Sequence, residues 1–146
     1  MTAVSCLSVL AFGLMLSTAA NVRADESAFS AQLSCQPPAG PGRILCELTT
    51  RASEGKLVWS DALVVQAPAF ARPLRSRFLA RITSTAAAQG AFAKLALVAS
   101  EAGEGQLELL ARGVICHQGT GGERCEPVRA KVRVELRVLR SDAGAR

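Results

Sequence analysis

Between residues 28 and 139, apolar and polar positions alternate in short runs broken by Gly, Pro, Ser and Asp, with little helical periodicity. A period of two marks strands that bury one face. The pattern predicts strands at 28–35, 43–51, 56–59, 61–67, 74–83, 91–99, 105–116 and 125–139. Two breaker clusters, Pro37 to Gly42 and Gly119 to Gly122, separate hairpin arms. Short strands at this spacing suit an all-β, immunoglobulin-like antiparallel sandwich. In TAAAQGAFAKLALVAS an alanine-rich helix competes with a hairpin turning at Gln89-Gly90. The hairpin is preferred, because Gly90 interrupts a helix and the sheet needs partners.

The last two runs carry the clearest register. A hairpin centred on Thr120-Gly121 sets Leu107 opposite Val134, Leu109 opposite Val132 and Ala111 opposite Ala130, so one apolar face meets another. On the outer face Glu108 meets Arg133, and Arg112 meets Arg129. The same register places Cys116 opposite Cys125 on the outer, polar face, within reach of a cross-strand bridge near the surface. A hairpin turning through PPAGPG likewise sets Cys35 opposite Cys46, on a face shared with Phe29, Leu33, Ile44 and Leu48. That bridge is expected to be buried. A rival pairing remains open: Cys46, Trp59 and Cys116 follow the order of an immunoglobulin inter-sheet cysteine, core tryptophan and second cysteine. Against it, Val114 stands where a tyrosine is expected, and the alternation turns Cys116 outward.

Residues 1–24 have the apolar run and small-residue end of a secretory signal peptide, with cleavage expected before Asp25 or, as a second option, after Ala20. The expected organisation is a signal segment at 1–24, one sandwich domain at 25–140 and a frayed tail at 141–146. No later apolar run is long enough to cross a membrane. Export to the periplasm or the extracellular space makes the four remaining cysteines disulfide candidates.

The net charge is +5, and arginine supplies 14 of the 17 cationic side chains. Arg75, Arg77 and Arg81 alternate with Leu74, Phe78, Ala80 and Ile82, which predicts one cationic outer face. Arg129, Lys131, Arg133 and Arg137 repeat the pattern on the last strand. Such stripes suit a protein or an anionic envelope component as partner. Nucleic acid is not expected, since export removes most targets and stacking aromatics are missing. No metal or other cofactor is expected either: the cysteines lack zinc spacing, and Cys116-His117 lacks the first cysteine of a haem motif. No catalytic motif surrounds His117, the single imidazole, although beside Cys116 it could lower a thiol pKa. The acidic residues read as solvated positions on outer faces or in turns.

Cys116, the glycine-rich turn, Cys125, Pro127 and the alternating strand after them resemble the cysteine hairpin of the N-terminal domain of the periplasmic thiol:disulfide interchange (DsbD) family. The resemblance implies an immunoglobulin-like domain whose Cys116 and Cys125 exchange electrons with partner proteins. Two functions of different class follow from the sequence. One is a non-catalytic binding module, and the other is a small thiol–disulfide exchange module.

Overall fold

The structure, a computed structural model, describes residues 28–36, 38–85 and 88–140. The expected signal segment and C-terminal tail lie outside the described residues. Nine strands form two antiparallel sheets: β1 (Phe29–Gln36), β2 (Gly42–Ala52), β3 (Lys56–Gln66), β4 (Ala71–Pro73), β5 (Arg77–Leu79), β6 (Arg81–Thr85), β7 (Ala88–Ala99), β8 (Gly103–Gly119) and β9 (Gly122–Val138). Sheet I runs β1-β2-β7-β4, with β6 also paired to β7. Sheet II runs β5-β3-β8-β9. With β6 as strand D, β1-β2-β7-β6 facing β5-β3-β8-β9 follows the immunoglobulin order A-B-E-D facing C′-C-F-G, and β4 is an additional strand before C′. No described helix is long and apolar enough to cross a membrane.

Alternation fills the space between the sheets. Phe29, Ile44, Leu48, Leu95 and Leu97 of sheet I face Leu57, Leu107, Leu109 and Ile115 of sheet II, all of them fully buried. One polar pair crosses this core: Thr50 and Ser60 place their hydroxyl oxygens 3.3 Å apart, and Thr50 also donates to the Ala91 carbonyl. Both hydroxyls therefore have a partner inside the low-dielectric interior.

Both expected hairpin registers are present, with Cys35 opposite Cys46 and Cys116 opposite Cys125. Two disulfides join these pairs, each with Cα atoms 4.0 Å apart, as at a non-hydrogen-bonded position. Cys46 lines the core and Cys116 lies on the outer face of sheet II, so the inter-sheet pairing is excluded.

Three expectations are corrected. The segment 74–83 is not one strand. The chain passes from β4 in sheet I to β5 in sheet II and back to β6 in sheet I, because Pro73 and the irregular residues 74–76 break the extension. The stretch beginning at Thr85 forms a hairpin, but Gly90 sits within β7 opposite Thr83, so the turn lies earlier than Gln89-Gly90. Finally, β3 is continuous, and an irregularity between Leu57 and Trp59 adds one residue to the strand. That extra residue carries Trp59 to the outer face, where it is half-buried rather than central to the core.

Candidate functional site

The described residues offer three places for chemistry: the disulfide hairpin and the outer faces of the two sheets. At the hairpin, β8 and β9 run on to a turn at Thr120-Gly121, and Gly122 adopts φ 102°, a left-handed backbone that suits glycine. Cys116 is buried, contrary to the expected surface position, because Lys56 of β3 lies directly alongside it. Cys125, on the edge strand, is exposed. The carboxylate of Glu123 lies within 4.8 Å of both sulfurs. Sequence adjacency placed His117 beside Cys116, but successive strand residues point to opposite faces. The His117 ring packs over Gly55, whose φ is 75°, and its Nε2 lies 3.5 Å from Glu126 Oε1. His117 is thus on the other side of the sheet from the disulfide.

The outer face of sheet II holds an ion cluster that the sequence pattern did not reveal. Asp61 of β3 is fully buried. Arg112 of β8 donates to both its oxygens, at 2.9 and 2.6 Å, and Arg77 of β5 donates to Oδ2 at 2.7 Å. The Arg112 guanidinium also lies 5.8 Å from the centroid of the Trp59 ring. Burial alone raises the Asp61 carboxyl, yet the hydrogen bonds and charges of Arg112 and Arg77 outweigh it and hold the group below its ordinary value. A second cluster joins Glu108 to Arg133 at 2.5 Å and to Lys131 at 3.6 Å. The Arg133 hydrogen bond leads in lowering the Glu108 carboxyl, against partial desolvation. Arg137 pairs with Glu104.

Most of the expected cationic stripe is therefore neutralised within sheet II. Arg77, Lys131 and Arg133 all face a carboxylate, and Arg129 alone of the expected residues on this face has no described acidic partner. Nor do the seven expected cations share one surface. Arg75 lies in the β4–β5 connection, and Arg81 belongs to sheet I, opposite Phe92.

Sheet I presents the opposite balance. Its outer face carries Arg43 and Arg51 on β2, Arg72 on β4, Arg81 on β6 and Lys94 on β7, all exposed. Glu47 is the single carboxylate on the described strands of this face, 3.6 Å from Lys94. None of the four arginines has a described acidic partner. Sequence inspection missed this face because its cations come from four strands, two of them too short to show a period. No protein-family model, curated protein or solved structure matches the chain.

Proposed function

We propose that the protein is an exported, disulfide-stapled, non-catalytic interaction module that binds an anionic envelope component through the outer face of sheet I. One contrast carries this reading. The arginines of sheet II are mostly held by Asp61, Glu108 and Glu104, whereas those of sheet I have no acidic partner among the described residues. Like charges gathered without counter-charges repel one another, and an anionic partner relieves that repulsion. The two disulfides suit an oxidising compartment.

Retention on dextran-sulfate beads tests the proposal. The protein is expected to bind at low salt and to elute as screening shortens the range of its charges. Replacing Arg43, Arg51, Arg72 and Arg81 by Gln should abolish retention. Unchanged retention of that variant would overturn the assignment of the face.

A thiol–disulfide exchange role for Cys116 and Cys125, which the DsbD-type resemblance implies, draws on one observation. Cys125 is exposed and open to an incoming thiolate, while Cys116 is buried as the leaving sulfur. Glu123 counts against it, because a carboxylate beside the sulfurs disfavours both the attacking and the departing thiolate.

A further inference from the structure

At one end of the outer face of sheet I the strands leave a notch of about 210 Å³, lined by Thr49, Arg51, Thr83, Gly90, Ala91 and Phe92. Its layout follows from the register. One row across the sheet reads Thr49, Phe92, Arg81, and the next reads Arg51, Gly90, Thr83. By register Arg51, which lines the notch, and Arg81, which borders it beside Phe92, stand on one diagonal, and the hydroxyls of Thr49 and Thr83 stand on the other. Gly90 forms part of the lining, and a larger residue there would have to displace backbone, because a Cβ would lie 2.7 Å from the Thr50 carbonyl oxygen. Phe92 supplies an apolar wall, and Lys94 holds its ammonium 5.6 Å from that ring's centroid.

This combination is amphiphilic at the scale of one ring. A simple inorganic anion would use the guanidinium groups but make no apolar contact with Phe92. A sugar acid uses all three kinds of group: its carboxylate accepts from arginine, its hydroxyls pair with threonine, and its C–H face covers the aromatic ring. The notch is smaller than the roughly 300–1,000 Å³ of pockets that enclose a whole small ligand. Its occupant therefore extends beyond it. On the same face, Arg43 and Arg72 flank Val98 in a further row, and Arg43 lies eight residues from Arg51 along β2, or roughly 27 Å at strand rise. A linear polymer with repeated charges spans that distance; a single headgroup does not.

We infer that the notch receives one acidic sugar ring of a linear anionic polysaccharide whose further charges run along the sheet toward Arg43 and Arg72. This deepens the proposed anion-binding face and rests on it. The test is binding of the full exported protein to polygalacturonate, with neutral dextran and anionic phosphatidylglycerol vesicles as comparisons. Polygalacturonate should bind and dextran should not. The Arg51→Gln/Arg81→Gln variant should bind at least about tenfold more weakly, in line with loss of charge-assisted hydrogen bonds. Arg51→Lys/Arg81→Lys should fall between the two, since lysine keeps the charge but not the planar fork. All these side chains are exposed, so circular dichroism and the melting midpoint are expected to be unchanged. Binding to vesicles but not to polygalacturonate would overturn the sugar assignment and leave the anionic face standing. Polygalacturonate binding that ignores both variants would overturn the notch. Failure to bind any polyanion would remove the face and the notch together.

Discussion

Asp61→Ala is expected to destabilise the fold by about 3 kcal/mol, the lower end for breaking a buried ion pair, because Arg77 and Arg112 can still reach water. The thermal midpoint should fall on the order of 10 °C. The carboxylate is enclosed between β3, β5 and β8, so its loss affects three strands of sheet II at once. The effect is also pH-dependent, with a definite sign. The folded Asp61 carboxyl lies below its unfolded value, so its contribution is complete above about pH 4. It disappears as the pH falls through the lower folded value. Wild type and Asp61→Ala should therefore differ most near neutrality and converge in acid, as read by urea unfolding at a series of pH values. A constant gap across that range would show that Asp61 acts through packing alone.

The second large effect is an inequality between the two disulfides. Their loops are of similar length, with sequence separations of 11 and 9, so chain entropy gives each about 3 kcal/mol. Position separates them, since one cysteine of each bridge is buried. Cys46 is part of the core between the sheets, with Cys35 partly buried against it, whereas Cys116 is buried on the outer face of sheet II and Cys125 is exposed on an edge strand. Each double serine variant should lose that amount and bury one hydroxyl, but Cys35→Ser/Cys46→Ser places its hydroxyl in the apolar core between the sheets and should lose more than Cys116→Ser/Cys125→Ser. In a glutathione redox series read by differential alkylation, both bridges should stay closed, as structural disulfides below about −300 mV do. A stronger dithiol should open Cys116–Cys125 first, through the exposed Cys125. Opening of that bridge at glutathione potentials would favour thiol exchange over stapling.

What could be read from the chain divides along physical lines. Hairpin registers were legible because period-two alternation and two glycine- or proline-rich turns each admit one alignment, and that alignment also paired the cysteines. The Glu108–Arg133 pair followed from the same register. The like-charged opposition of Arg112 and Arg129 has its explanation in a strand the hairpin does not contain: Arg112 turns away from β9 to Asp61 on β3. Asp61 was illegible as a buried group, because burial on an outer sheet face depends on long side chains from neighbouring strands. Its one local sign is its position inside the apolar run VWSDALVV. Trp59 was misplaced by a single extra residue, since one insertion in a strand reverses every face assignment beyond it. The arginines of 70–81 were misread for a related reason. Alternation says which residues share a face only while the strand stays in one sheet, and this segment changes sheet twice.

On the proposed function, sheet I and not sheet II meets the anionic partner. Backbone amide chemical-shift mapping of the isotopically labelled protein during titration with a short oligogalacturonate tests it most directly. Perturbations are expected on β2, β4, β6 and β7, around Arg43, Arg51, Arg72, Arg81 and Lys94, with Glu108 and Asp61 and their neighbours unchanged. Perturbations centred instead on β9, at Arg129, Lys131 and Arg133, would contradict it.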